Sequence, residues 1–372
     1  MRSRTPQGSI EGTSQHQAET DRIRPAPKER AAAGGFPLHP WPGRRAKGVA
    51  MTEAGNGRHM DQVTVLIPTF RPDERFEALL ERLSRQTLLP RRVLIMNTVK
   101  GSDTGIPSSM IDAWQKRFEV LSVFHVDKKE FDHGRTRHLG FLFSDTELVL
   151  CMTQDAVPAT SRMIEHLAGC FDDPKVAAAY GRQLARKGSS AREHFTRRFN
   201  YPDTSFVKSK EDLGRMGVKT FFCSDVCAMW RRDVYFAMGG FEYPAIFNED
   251  MVLAGKLVEN GWKIAYAADA PVWHSHSYSP VRQMKRNFDL GVSQAQHPEL
   301  FARYPSEGEG IRMVKQCAAY LIRSGHAGEL GPFLTDSVFK YIGYRLGKNY
   351  RRLPGRMILK LTDNRQFWEK NE

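Results

Sequence analysis

Three short clusters along the chain carry residue types that can do chemistry: Thr153-Gln154-Asp155-Ala156, Asn248-Glu249-Asp250 and Trp273-His274-Ser275-His276. A hard carboxylate suits a divalent cation, a second carboxylate suits a general base, and an imidazole suits a metal ligand. Together these meet the requirements of metal-assisted transfer from a diphosphate-bearing donor. Each cluster alone is a weak signal. Two acids at a helix start are common for macrodipole reasons, and an Asp after a strand can cap the next helix, here one beginning near Ser161. Asp155 is the sharper case, because it follows the apolar run 147–152, where a carboxylate is costly unless paired, hydrogen-bonded or bound to a cation. His274 and His276, alternate residues on an extended segment, place both rings on one face. One is then a metal ligand and the other supports it or contacts phosphate.

The elements that must position these clusters read as repeated strand-to-helix units. Val63–Thr69 is apolar and ends in a turn, after which Phe76, Leu79, Leu80 and Leu83 recur at helical spacing. Strands at 92–96, 119–126 and 147–152 follow, with helices at 108–116 and 136–143 between them. Such alternation predicts an α/β fold with a mainly parallel central sheet flanked by helices, and ligands at the carboxyl ends of its strands. Pro68, Thr69 and Arg71 follow the first strand, where a hydroxyl and a guanidinium can meet a base or diphosphate, although an ordinary turn fits as well. Asn97 ends the second strand, and its amide can both donate to and accept from a pyrimidine edge. Gly134 permits close backbone approach at a helix start, and Arg137 lies one turn in, facing a phosphate site or forming part of a solvated face. Glu249 and Asp250 open a helix that stops at Asn260-Gly261, and a further strand runs over 262–266.

With 372 residues, 41% hydrophobic and 26% charged, the chain can bury the core of one large α/β domain plus an appendage. The formal charge of +13 is not spread evenly. Residues 1–60 hold 10 Lys/Arg against 5 Asp/Glu, residues 61–310 hold 33 against 32, and residues 311–372 hold 12 against 5. A neutral body with basic ends argues against a nucleic-acid partner and fits an anionic membrane surface or a solvated tail. Residues 1–60 lack apolar periodicity and read as a disordered basic extension, with Met51 or Met60 as alternative initiators. The five cysteines suit a reducing compartment, with Cys223 and Cys227 read as core thiols ahead of metal ligands. No apolar run reaches the roughly 18 residues needed to span a bilayer. Residues 61–300 form the expected catalytic domain. The stretch 186–222 breaks the alternation and reads as an acceptor groove, a lid or a surface loop. Residues 301–372 read as a helical, basic extension, in which 341–352 mixes aromatic and basic residues as an interfacial segment does; packing on the domain or a dimer contact are the alternatives.

Ile67-Pro68-Thr69-Phe70, Asp155, Glu249-Asp250 and Trp273-His274 together resemble the motif series of family 2 glycosyltransferases, inverting enzymes with a GT-A fold. Within that family, Phe131-Asp132-His133-Gly134, Met152-Thr153-Gln154-Asp155-Ala156 and Ala179-Tyr180-Gly181-Arg182-Gln183-Leu184 resemble bacterial rhamnosyltransferases. The resemblance covers roughly residues 62–300. It implies a nucleotide-sugar donor such as dTDP-L-rhamnose, a Mg²⁺ or Mn²⁺ ion and a growing cell-surface glycan as acceptor. The aromatic and basic segment 341–352 adds the expectation of a lipid-linked acceptor and of work in the cytoplasm, peripherally on the inner face of the membrane. Carried over by position, Asp155 is the metal and diphosphate residue, Asp250 the general base and His274 the metal ligand; Glu249 stands beside the base, and His276 is the second candidate ligand. Pro68, Thr69, Arg71, Asn97, Gly134, Arg137 and Gln154 fall to the donor. The family's Asp-x-Asp has Thr153 in place of its first acid, and Asn97 stands where many relatives carry Asp.

Two other classes fit less of the pattern. A sugar nucleotidyltransferase would favour a Gly-rich, Lys-containing loop where Pro68-Thr69-Phe70-Arg71 stands, and a non-catalytic nucleotide or glycan binder would not need Asp250 and His274 together.

Overall fold

The computed structural model describes residues 63–369 except 102 and 277. The extension expected over 1–60, with its alternative initiators, lies outside the described residues. The strands are β1 (Val63–Thr69), β2 (Arg92–Val99), β3 (Leu121–Asp127), β4 (Leu148–Met152), β5 (Val157–Pro158), β6 (Val176–Leu184), β7 (Phe206–Lys208), β8 (Cys227–Arg231) and β9 (Lys263–Trp273). The helices of the body are α1 (Glu74–Leu83), α2 (Ser108–Gln115), α3 (His133–Phe143), α4 (Met163–Gly169), α5 (Ala191–Asn200), α6 (Leu213–Met216), α7 (Arg232–Ala237) and α8 (Glu249–Glu259). A helical layer follows: α9 (Pro280–Gln296), α10 (Pro298–Phe301), α11 (Glu307–Arg323), α12 (Leu330–Lys348), α13 (Gly355–Leu361) and α14 (Arg365–Glu369).

The sheet order is β3-β2-β1-β4-β8-β6-β9-β5, with β7 also on β9. The first four strands are parallel, as the alternation predicts. β8 then enters antiparallel between β4 and β6, and β6 and β9 run parallel again. The sheet is therefore mixed beyond β4. Strands covered on both faces need apolar residues at successive positions, and β1 supplies them: Val65 and Ile67 face one core, Leu66 the other. On α1, Phe76, Leu79, Leu80 and Leu83 are buried in the first of those cores, and Asp73 caps the helix by accepting the Arg75 N–H.

This topology brings the informative loops to one edge. Thr69 pairs with Asn97, Val99 with Asp127, and Leu184 with Trp273, so these strands end together. Because β8 is antiparallel, it is its amino end that lies there, Cys227 opposite Met152. The C-terminal helices dock on the same body. α9 and α12 touch backbone to backbone: a Cβ at Gly343 would lie 2.0 Å from the Met284 carbonyl oxygen, and one at Gly347 2.1 Å from that of Phe288. Phe288, Val292, Leu361, Phe367 and Trp368 then share a small core with Ile246.

Candidate active site

At this edge the structure assembles two polar clusters. In the first, the Asp155 carboxylate lies between two imidazoles, with His274 Nε2 3.6 Å from Oδ1 and His276 Nε2 3.2 Å from Oδ2. The donor atoms of these three residues all fall within 4.8 Å of one another. Arg75 stands 3.8 Å from Asp155 Oδ2. The chemistry of this set fits a divalent cation. Asp155 Oδ2 is buried without a hydrogen-bond partner. His274 donates its Nδ1–H to Gln183 Oε1 at 2.9 Å, which leaves Nε2 with a free lone pair toward Asp155. Burial lowers the pKa of both His274 and His276, which keeps them neutral and able to ligate. The helix-cap alternative for Asp155 does not hold, since α4 begins after Arg162 and has no side-chain cap.

The second cluster surrounds Asp250 at the start of α8. Asn248 turns the chain in with φ at +71°, a left-handed conformation that Asn tolerates better than most residues. Asp250 Oδ2 accepts the Asp225 N–H at 3.0 Å, and Oδ1 the Met251 N–H at 2.7 Å. Burial and then the neighbouring Glu249 raise its carboxyl to about 6, against the opposing pull of Arg137. Glu249 and Asp225 are both buried and both bound to Arg137, at 2.6 Å and 3.2 Å. Trp230 donates to the other oxygen of Asp225. Asp250 lines a cavity of about 550 Å³ with Thr153, Tyr201, Arg197 and Arg286.

Gln183 joins the two clusters. It accepts from His274, its Nε2 donates to Ser224 Oγ at 3.1 Å, and Asp225 next along the chain donates to Asp250. The two clusters are thus linked by hydrogen bonds and the one peptide step from Ser224 to Asp225.

The remaining residues singled out from sequence take varied places. Pro68 and buried Thr69 close β1, and Arg71 is exposed at the rim with φ at +46°, 3.2 Å from Asp103. Gln154 clasps the loop after β1 by accepting from the Phe70 N–H at 2.7 Å and donating to its carbonyl. Asn97 is fully buried, accepting from Thr69 Oγ1 and donating to the Thr104 carbonyl, so its amide shapes the loop and does not present an open edge to a base. Gly134 allows close approach of protein backbone where phosphate was expected: a Cβ there would meet the Glu242 carbonyl oxygen at 1.9 Å. Arg137, likewise expected to face phosphate, is 6% exposed and held between Glu249 and Asp225. Both therefore belong to the Asp250 side, because α3 packs its first turn against the segment that leads to α8. Cys223 and Cys227 are free, buried thiols.

Sequence reasoning missed Gln183, Arg197 and Asp225. Gln183 lay within a motif already noted, and Asp225 lies two residues before β8, whose amino end is at the loop edge because the strand is antiparallel.

A family model described as Glycosyltransferase like family 2 matches residues 61–289, more than half of the chain. The chain belongs to the family 2 glycosyltransferases. The O-antigen chain rhamnosyltransferase RfbN of Salmonella typhimurium is 33% identical over 314 residues, covering 82% of this chain and 96% of that protein. The O-antigen chain rhamnosyltransferase WbaN of Salmonella anatum is 31% identical over 317 residues, covering 83% and 96%. In structure, this glycosyltransferase is similar to the mannosyltransferase PcManGT from Pyrobaculum calidifontis, solved in complex with GDP-Man and Mn²⁺. The TM-score is 0.53 at 15% identity over 77% of this chain and 87% of the other. That likeness establishes the GT-A-like fold, a mixed sheet flanked by helices with further helices at the C-terminus.

Proposed function

We propose that this glycosyltransferase moves L-rhamnose from dTDP-L-rhamnose to a hydroxyl of a growing cell-surface glycan, by one in-line displacement with Asp250 as base. The donor assignment is supported by two rhamnosyltransferase relatives that match over most of the chain. The observation that carries the mechanism is Asp250 itself, a carboxyl raised to about 6 that faces a cavity and is wired through Gln183 to the Asp155 cluster. A base of that strength is ionised at neutral pH yet able to take a proton as it develops.

In the reaction, the acceptor oxygen attacks the anomeric carbon while its proton passes to the Asp250 carboxylate. The bond from that carbon to the diphosphate oxygen breaks, and dTDP departs with the electron pair. One in-line attack inverts the centre, so a β-linked donor gives an α-linked product. Asp155, His274 and His276 would hold Mg²⁺ or Mn²⁺, and what a bound ion supplies there is charge compensation for the diphosphate. Arg75 and the exposed Arg71 add positive charge on the donor side. Arg137 pairs with both Asp225 and Glu249, so the negative charge beside Asp250 is compensated by a buried guanidinium.

The acceptor is proposed to be lipid-linked, with the enzyme resting on the inner face of the membrane. Among the described residues no helix is long and apolar enough to cross a membrane, and the contact proposed is a peripheral one. An apolar groove of about 550 Å³ between α9, α11 and α12, bordered by Lys315 and Lys340, supports an anionic lipid surface as its partner.

The mechanism is tested with Asp250→Asn. Affinity for dTDP should stay near that of the unaltered enzyme, while rhamnosyl transfer falls by a factor of roughly 10² to 10⁴, the span of general-base catalysis. Full turnover in that variant would remove Asp250 from the role.

A further inference from the structure

The family match ends at residue 289, but the Asp250 cavity does not. Part of its wall is built by Arg286, Asp289, Asp363 and Asn364, the last two from the far end of the chain. Asp289, on α9, accepts the Thr362 hydroxyl at 2.6 Å and the N–H groups of Asp363 and Asn364 at 2.9 and 3.0 Å. Both of its oxygens are thereby engaged in holding the turn before α14. Asn364 Nδ2 donates to the Ile246 carbonyl at 3.3 Å, and Gln366 Nε2 to the carbonyls of Lys128 and Phe131. Residues 362–366 therefore run from α9, past the segment leading to α8, to the loop after β3. Phe367 and Trp368 anchor them in a buried core with Ile246 and Phe288.

The Asp363 side chain is placed differently from its neighbours. It is 29% exposed, and its Oδ2 lies 3.7 Å from Arg282 Nε and 4.0 Å from Arg286 Nη1, beyond direct hydrogen-bond length. A carboxylate only accepts and a guanidinium only donates, whereas a sugar hydroxyl does both. The two side by side on a cavity wall complement adjacent hydroxyls. Arg286 also lies over the Tyr278 ring at 5.0 Å, and Tyr278 stacks on His276 with centroids 5.0 Å apart. The same wall thus leans on the donor-side cluster.

We propose that residues 362–366 form an acceptor-recognition strap, in which Asp363 and Arg286 bind neighbouring hydroxyls of the accepting sugar and Asp289 positions them. The inference rests on the reading of this cavity as the acceptor site, and it adds the residues that select the acceptor.

The probe is a panel of methyl glycosides of galactose, glucose, mannose and rhamnose, each offered with dTDP-L-rhamnose, with KM measured for glycoside and donor separately. Asp363→Ala should raise the acceptor KM about tenfold, the worth of one hydrogen bond to a charged group, while the donor KM moves less than about twofold. Asp289→Asn should shift the acceptor KM in the same direction, whereas a merely structural role would move both KM values together. If Asp363→Ala does not fold, Arg286→Lys, which keeps the charge and loses the planar fork, is read in the same way. An unchanged acceptor KM in a folded variant overturns the strap, as does failure of every glycoside as acceptor for the unaltered enzyme. If Asp250→Asn is inactive and Asp363→Ala is silent, the strap alone falls. If Asp250→Asn is active while Asp363→Ala raises the acceptor KM, the base assignment falls and the strap stands.

Discussion

At the scale of single residues, the groups proposed to act are held by others: Gln183 accepts from His274, and the Asp225 N–H donates to Asp250. Asp155, Asp250 and His274 each sit where a strand ends or a helix starts, a position readable from local pattern. Asp225 and Gln183 act through contacts across long stretches of chain, such as the 91-residue separation of Gln183 from His274, and no local pattern records that. The same blindness explains Arg137 and Gly134, whose surroundings are set by the segment before α8 and not by their own helix. Two outcomes follow from these contacts. As the proposed base, Asp250 must be ionised to accept a proton, and its carboxyl is raised to about 6 by burial and by Glu249. The sign is therefore that kcat/KM falls about tenfold per pH unit below about 6 and levels off above it. Initial rates between about pH 5 and about pH 8 measure this, and a limb near the ordinary carboxylate value of roughly 4 would contradict it. Gln183 fixes the tautomer that frees His274 Nε2. Gln183→Leu should weaken Mn²⁺ affinity roughly 10-fold to 100-fold in calorimetric titration in the presence of dTDP. Unaltered affinity would mean that His274 is oriented by something else.

At the scale of elements, periodicity recovered the β1-α1 unit and the parallel strands that follow, because a strand buried on both faces must be apolar throughout. It did not recover β6, whose Val176-Ala177-Ala178-Ala179 start has the composition of a helix. Burial between β8 and β9 overrides that propensity, since small side chains suit a strand enclosed by neighbours. Nor could composition reveal that β8 reverses direction, and that reversal is what carries Ser224 and Asp225 to the active edge. The α9–α12 pair shows a third kind of information, in which glycine marks contact between backbones. Gly347→Val would force the two helices apart, since the added Cβ meets the Phe288 carbonyl at 2.1 Å. Overpacking of this kind costs about 1–3 kcal/mol, which urea denaturation reads as a lower midpoint. Because α9 also carries Asp289, acceptor binding should weaken along with stability; an unchanged midpoint would show that the interface yields without cost.

At the scale of the whole molecule, the charge asymmetry along the sequence and the exposed apolar surface of the structure meet in one place. Residues 311–372 hold 12 Lys/Arg against 5 Asp/Glu. Within that stretch, Ile311, Val338 and Tyr341 are each more than half exposed and border the groove between α9, α11 and α12. The charge was legible from sequence, but the groove exists only because three helices separated along the chain pack together. Scattered apolar residues on a surface need no explanation, whereas a contiguous groove beside lysines does. Each Lys or Arg close to an anionic bilayer is worth about 1 kcal/mol, and the attraction fades over a Debye length of about 10 Å in 0.1 M salt. The enzyme should therefore co-sediment with vesicles containing phosphatidylglycerol and not with phosphatidylcholine alone, and should be released at roughly 1 M salt, where the Debye length falls to about 3 Å. Val338→Asp, which places a carboxylate in the apolar part of the groove, should lower the bound fraction without altering transfer to a water-soluble acceptor. Charge reversal at Lys315 and Lys340 should lower it further and flatten the salt dependence. Equal recovery with both vesicle types would assign the groove to contact between protein surfaces, and a salt dependence that survives both sets of substitutions would place the membrane contact elsewhere on the chain.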